Sequence, residues 1–332
     1  MARKLRVEYE GAIYHILSRG NGKQDIYRDA KDRKLFLKAL GETCEKTGWR
    51  VHAYCLMSNH FHLCLETPQA NLVAGMKWLL GTYSSRFNRR HKHSGHLFAG
   101  RYKSVIVDGS RKGYLHKLCD YIHLNPVRAH LVADDQYLKD FPWTSYPLYL
   151  LPPTQRPSWL ETRVLMGEKD IQTDDNAGRQ RLELLMENRQ LWEESRTNEA
   201  YDLIRRSWHF GTDEHRNDLL SKIETLEGTS RSPAGEVERE AHRVQASDLL
   251  EEMLRAEGIT DQDLMTMRKG DPVKIRLAME IRKRTTMSLK WIAEHLHMGT
   301  WTYVSNLLST QRTKKLQVLG LPPSEWLKAT AD

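Results

Sequence analysis

Cysteine is scarce and badly spaced for metal binding. Cys44, Cys55, Cys64 and Cys119 form no Cys-x-x-Cys pair in 332 residues, which excludes a zinc knot, and each lies in an apolar stretch as a reduced packing thiol does. Long hydrophobic runs are missing too: nothing approaches the roughly 18 apolar residues of a bilayer span. The opening MARKLRVEYEGAIYHIL lacks an apolar signal segment and a small-residue cleavage site, so a cytoplasmic protein with no membrane partner is expected. No G-x-x-x-x-G-K-[ST] loop is present to cradle a nucleoside triphosphate, and there is no sequence repeat or low-complexity tract. With 39% hydrophobic and 28% charged residues, the chain is too apolar for wholesale disorder and long enough for two or three domains.

What is abundant is positive charge, and it is unevenly placed. Residues 1–150 hold 24 Lys and Arg against 13 Asp and Glu, a net of +11, whereas residues 151–332 hold 27 against 30. Within that second part, residues 269–315 return to 10 basic against 3 acidic side chains. Two basic blocks flanking a more acidic middle point to a polyanion touched at two places. The expected division is therefore a domain at 1–150, a helical linker region at 151–268 opened by LPPTQRPSW, and a basic domain at 269–332.

Periodicity supplies the elements. AIYHILS (12–18) reads as a strand, 29–47 as a helix stopped by Gly48, and RVHAYCLMSNHFHLCLET as strands at 50–56 and 60–66 joined by Met57-Ser58-Asn59. A helix at 71–90 ends in arginines, the strand RYKSVIVD follows, and a helix runs from about Arg111 through Leu124. This order predicts an α+β, ferredoxin-like antiparallel sheet with helices on one face. Further helices are expected at 177–195 and 197–208, and a mobile stretch at GTSRSPAGE.

Chemistry concentrates in two places. His60 and His62 are two apart on a strand, so both imidazoles leave one face while Phe61 points to the other, and neutral imidazole is a good ligand for divalent metals. The pair alone is equally compatible with lining a half-buried sheet face. In KGYLHKLCDYIHLNPVRA, Tyr121 and Asn125 are four apart, about 6 Å along a helix, so that a nucleophile and a ligand share one face. The competing reading has Tyr121 as a packing aromatic and Asn125 as a helix stop before Pro126. Tyr114 shares the face but lies about 16 Å from Asn125 by helical rise. His91, His93 and His96 sit in a basic loop without cysteines, and no zinc site is expected there.

Together, His60-Phe61-His62, FAGRYKSVIVD and YIHLNPVRA resemble the single-tyrosine HUH transposases of the IS200/IS605 type, most closely the REP-associated tyrosine transposases. The resemblance covers residues 1 to about 150, and Ser18-Arg19-Gly20-Asn21 is similar to the same branch. It implies that Tyr121 is the catalytic tyrosine and Asn125 the third metal ligand beside His60 and His62; insertion-sequence relatives carry Gln there, and Asn is similar to the REP-associated branch. It further implies Mg²⁺ or Mn²⁺ as cofactor, a Tyr121–5′-phosphate intermediate with a free 3′-hydroxyl, single-stranded DNA hairpins of repetitive palindromic elements as substrate, and a nucleoid-associated location. Arg19, Arg86, Arg89, Arg90, Arg101, Lys103 and Arg128 are the expected phosphate contacts, with Tyr102 to stack on a base.

In the last domain, helices are expected at 272–284, 288–297 and 300–309, with the turn His297-Met298-Gly299 between the last two, a helix-turn-helix spacing. Leu289, Ile292, Ala293, Leu296, Val304, Leu307 and Leu308 take core positions, which leaves Thr300, Thr302, Tyr303, Ser305 and Asn306 to face a groove of duplex DNA. The segment resembles domains appended to some REP-associated transposases. Two functions compete: a metal-dependent single-strand transesterase, acting as monomer or homodimer, and a domesticated DNA-binding regulator with little catalysis.

Overall fold

Alternation decides the first strand. Ala12, Tyr14, Ile16 and Ser18 point to one side of β1 (Ala12–Arg19), and Ile13, His15, Leu17 and Arg19 to the other. In the computed structural model, which describes residues 7–133, 135–193, 201, 204, 207–227 and 234–318, β1 is central to its sheet. The order is β2-β3-β1-β4-β5, with β2 (Arg50–Leu56), β3 (His60–Thr67), β4 (Lys103–Val107) and β5 (His209–Phe210). The first four strands are antiparallel neighbours in the expected ferredoxin-like order; β5 pairs parallel to β4 through Ile106 and Val107.

Helices α1 (Ala30–Thr47) and α2 (Leu72–His91) cover the face that carries Tyr14, Ile16, Tyr54, Phe61 and Leu63. Asp29 caps α1 by accepting from the Asp32 amide at 3.0 Å, and Gly48 ends it at φ 70°, a left-handed position that glycine adopts freely. Phe61, fully buried, sits 4.8 Å from the Phe36 ring; burying one such ring contributes about 1.5–3 kcal/mol. α2 approaches Trp49 so closely that a Cβ on Gly75 would lie 2.1 Å from the indole. The Trp49 Nε1 donates to Asn71 Oδ1 at 2.7 Å, and Asn71 Nδ2 donates to the Thr47 carbonyl at 2.8 Å, which joins the end of α1 to the start of α2.

The third helix departs from a one-faced layer. α3 (Tyr114–His123) packs on the opposite face, its Leu115, Leu118, Cys119 and Ile122 against Ala53, Cys55, Cys64, Val105 and Val107. Those strand residues are apolar on both faces of the sheet, so one helical layer leaves a second surface to bury, and α3 buries it. The helix stops at Leu124, and a short α4 (Asn125–Arg128) follows with Pro126 in its first turn.

The segment after residue 150 is not a separate linker. Leu160, with Leu165 and Met166 of α6 (Arg163–Glu168), and Leu182 and Met186 of α7 (Asn176–Glu193), join the α3-side core. A four-residue α5 (Tyr146–Tyr149) precedes them. By internal packing the chain forms two compact units, 1–229 and 230–332. Residues expected as a helix at 197–208 fall largely outside the described set, as do 228–233 of GTSRSPAGE.

The second unit is helical. Helices Pro272–Arg284, Leu289–His295 and Trp301–Val318 share a core of Ile275, Ala278, Ile281, Ile292, Leu296 and Val304 with Ala246 and Leu250 of the helix Ala234–Glu257. Between the last two helices His297 and Gly299 take positive φ, and the Met298 amide returns to the Ala293 carbonyl at 2.9 Å. Lys274 is buried, its Nζ donating to the carbonyls of Met267 and His297 at 3.3 and 3.2 Å. Thr300, Thr302, Tyr303 and Asn306 are exposed, Ser305 half-buried.

Candidate active site

Register places the histidines. Across the sheet, Cys55, His62, Leu17 and Lys103 form one row, His60 and Arg19 the next, and Cys64, His15 and Val105 the row on the other side, all on the α3 face. The rings of His60 and His62 stand 5.2 Å apart. Each has its Nδ1 occupied: that of His60 lies 2.7 Å from Asn59 Oδ1, that of His62 2.8 Å from His15 Nε2. Burial, then the positive charge of Arg19, lowers the His60 pKa to about 4, so the ring is neutral at physiological pH.

Tyr121 projects from α3 onto this pair. Its ring is 5.8 Å, edge-on, from both His62 and His15. It is only 4% exposed, because Tyr201 packs against it at 5.1 Å and the Arg128 guanidinium lies 4.3 Å over its face. Arg128 also donates to the Tyr121 carbonyl and to Asn125 Oδ1, and it pairs with the buried carboxylate of Glu193, which in turn accepts from the Tyr201 hydroxyl at 3.0 Å. Tyr114 lies elsewhere, packed 5.1 Å from Phe210 on the β5 side.

The Asn125 side chain starts after the helix break, so it does not stack above Tyr121 as on a continuous helix. Its Oδ1 faces Arg128 at 3.0 Å, and its Nδ2 is buried without a hydrogen-bond partner. Among the described residues no three His, Cys, Asp or Glu side chains form a metal-binding group. The two histidines nevertheless fit a divalent ion: both rings are held through Nδ1, which is how histidine ligands are oriented for metal binding through Nε2. Asn125 Oδ1 keeps a second lone pair beside the one that accepts from Arg128.

The expected phosphate contacts separate into two groups. Arg86 is committed to Glu42 at 2.6 and 2.9 Å, Arg90 to Asp29 and Asp32, and Arg128 to Glu193, clamps that bind α2 to α1 and α4 to α7. Tyr102 belongs to the α1/α2-side core. Arg19, Arg89, Arg101 and Lys103 reach solvent.

Residues 8–125 match the family described as transposase, IS200 like. The matched span contains the histidine pair, Tyr121 and Asn125. A solved structure titled "Structure of the REP associates tyrosine transposase bound to a REP hairpin" aligns at 13% identity and a TM-score of 0.38, covering 45% of this chain and 86% of that one. A comparison with curated proteins gives no match.

Four residues of the site are not marked by any motif: His15, Asn59, Glu193 and Tyr201. For His15 a signal exists, since a histidine at an interior position of AIYHILSR shares the strand face of Arg19. Asn59 is adjacent to His60 in the turn. Glu193 and Tyr201 come from the segment beyond residue 150, and nothing local marks them.

Proposed function

We propose that the IS200-like domain cuts and rejoins single-stranded DNA through Tyr121, beside a divalent ion held by His60 and His62 with Asn125 as the third ligand. The observation that carries this reading is the convergence of Tyr121 with the paired histidines on one sheet face, its ring 5.8 Å from that of His62, which is 5.2 Å from that of His60. When bound, Mg²⁺ or Mn²⁺ polarises the scissile phosphate and offsets charge that develops on it. A phenol with a pKa near 10 is a weak nucleophile in water and needs that assistance. Tyr121 Oη forms a bond to phosphorus as the P–O3′ bond breaks; the phenol loses one proton and the leaving 3′-oxygen gains one. The reverse exchange rejoins the strand, and no nucleotide is consumed.

Arg19 beside His60, with Lys103, Arg101 and Arg89, supplies solvent-facing cations for the backbone. Hairpins of repetitive palindromic elements are the substrate that the motifs of this branch imply. The second unit acts as a helix-turn-helix: Thr300, Thr302, Tyr303, Ser305 and Asn306 read duplex DNA and keep the catalytic domain beside its hairpin. Trp301, 54% exposed at the start of the same helix, adds an aromatic contact.

The test is a denaturing gel of labelled hairpin DNA with protein and Mg²⁺ or Mn²⁺. Cleavage is expected for the natural chain and a loss on the order of 10³-fold or more for Tyr121→Phe. Equal cleavage by both proteins sinks the reading. A second reading rests on the burial of Tyr121 beneath Arg128 and Tyr201: a regulator that binds the hairpin without cutting it. Hairpin binding with no cleavage under either ion selects that one.

A further inference from the structure

We propose that Trp208 is a stacking platform for bases of the DNA strand, a role that rests on the reading of Tyr121 and the histidine pair as a site for single-stranded DNA. A protein that holds a single strand uses aromatic faces as well as cations, because every base has a π-face while the backbone offers charge. Tyr102, the aromatic expected from the sequence for this task, is 8% exposed and belongs to the α1/α2-side core. Among the described residues of the first unit, the large aromatics that stand exposed are Tyr137, at 54%, and Trp208, at 41%.

Trp208 lies where the sheet ends. Its carbonyl accepts from the Ile106 amide at 3.0 Å and that of Phe210 from the Asp108 amide at 2.9 Å, so the backbone on both sides of His209 is tied to β4. Asp108, fully buried, holds the following turn by accepting from the Thr212 amide and hydroxyl at 3.2 and 2.9 Å. Phe210 packs inward 5.1 Å from Tyr114, whereas the indole of Trp208 remains accessible, with the His209 imidazole 5.6 Å away on one side. An indole on so anchored a backbone loses little conformational freedom when a base stacks on it.

The surroundings select nucleic acid as the partner. The pairing of Ile106 with His209 sets Trp208 level with Val105, one strand spacing from β4 and two residues along from Lys103, about 8 Å between Cα atoms. Arg101 lies two residues beyond Lys103, and both cations are exposed. From Lys103 the register runs through Leu17 to His62, so the histidine pair is about 16 Å from Trp208 across the sheet. A strand with its scissile phosphate at the histidines passes Lys103 and reaches the indole a few nucleotides away. An exposed indole flanked by cations suits a polyanion with π-faces rather than an apolar protein surface. Tyr137 differs, because the Lys139 ammonium already lies 4.7 Å over its ring and pairs with Glu183 at 2.7 Å.

Stacking tolerates any base, so fluorescein-labelled oligodeoxythymidylate is a sufficient probe, titrated with full-length protein in EDTA and followed by fluorescence anisotropy. Trp208→Ala should weaken binding on the order of 5- to 150-fold, Trp208→Phe should stay within about threefold of the natural chain, and Tyr137→Ala should change nothing. Trp208→Ala should leave two quantities unaltered: affinity for a duplex, whose bases are stacked on each other, and the salt dependence of oligodeoxythymidylate binding, since no phosphate contact is lost. Iododeoxyuridine placed in the same oligomer should photo-crosslink to the peptide containing Trp208. A folded Trp208→Ala protein that binds oligodeoxythymidylate within about twofold of the natural chain overturns the proposal, as does one that loses single strand and duplex alike, or crosslinks confined to other peptides. Failure of the cleavage reading looks different: oligodeoxythymidylate binding still depends on Trp208 while the natural chain cuts no hairpin.

Discussion

Arg128 and Glu193 join the turn after α3 to the end of α7 by a nearly buried ion pair, and removing either partner has a predictable cost. The side chains are 14% and 1% exposed, so neither charge left alone is rescued by water. Glu193→Ala strands a guanidinium over the Tyr121 and Tyr201 rings; Arg128→Ala strands a carboxylate that, among the described residues, keeps only the Tyr201 hydroxyl. Breaking a buried pair from one side costs about 3–5 kcal/mol, equivalent to roughly 6–20 °C in the melting transition of a unit this size. The double variant leaves no uncompensated charge and should lose less than the sum of the singles by about 2–3 kcal/mol. Urea unfolding of the four proteins, followed by tryptophan fluorescence, measures the coupling. Additivity within about 0.5 kcal/mol would refute the reasoning, because the pair would then act as two solvated charges.

Other outcomes follow from the same structure. His60→Ala and His62→Ala should each lower Mn²⁺ affinity by at least about 10-fold in calorimetric titration, with the fold retained by circular dichroism. His123 is buried against Ser145 Oγ at 2.8 Å, and burial lowers its pKa to about 3. The unfolded chain takes up a proton near pH 6.5 that folded His123 refuses, so its contribution to stability is intact above pH 6.5 and falls as the pH drops toward 3. At pH 5 that amounts to about 2 kcal/mol, and His123→Gln should flatten the dependence of the urea midpoint between pH 7 and 5. Lys274→Met in the second unit leaves the Met267 and His297 carbonyls without their donor and should destabilise that unit by about 1–3 kcal/mol in thermal unfolding. Asn306→Ala should weaken duplex DNA binding in a gel-shift titration without altering hairpin cleavage.

Much of the first unit was legible because its local signals agree. Asp29 and Gly48 bracket α1, Phe61 alternates with two histidines, and the basic end of α2 marks its C-terminus, so element bounds fall within a few residues of expectation. Facing was harder. An apolar stripe does not say which face of a sheet a helix covers, and only the pairing of β1 between β3 and β4 shows that α3 covers the side opposite α1 and α2. The ion pairs of the cations were hidden for a related reason. Arg86 and Arg90 pair with Glu42, Asp29 and Asp32, more than 40 positions earlier. The same distance in sequence hid His15, whose partner lies on a neighbouring strand, and the cap over Tyr121, whose Glu193 and Tyr201 follow a proline-rich stretch that looks like a linker.

The central claim is that one tyrosine becomes joined to DNA. Hairpin DNA trapped with the protein and Mn²⁺, digested with protease and analysed by tandem mass spectrometry, locates that bond. The account predicts a 5′-phosphotyrosyl adduct on the peptide containing Tyr121, absent in Tyr121→Phe. An adduct on Tyr114 or Tyr201 in the natural protein, or one that survives in Tyr121→Phe, would contradict it.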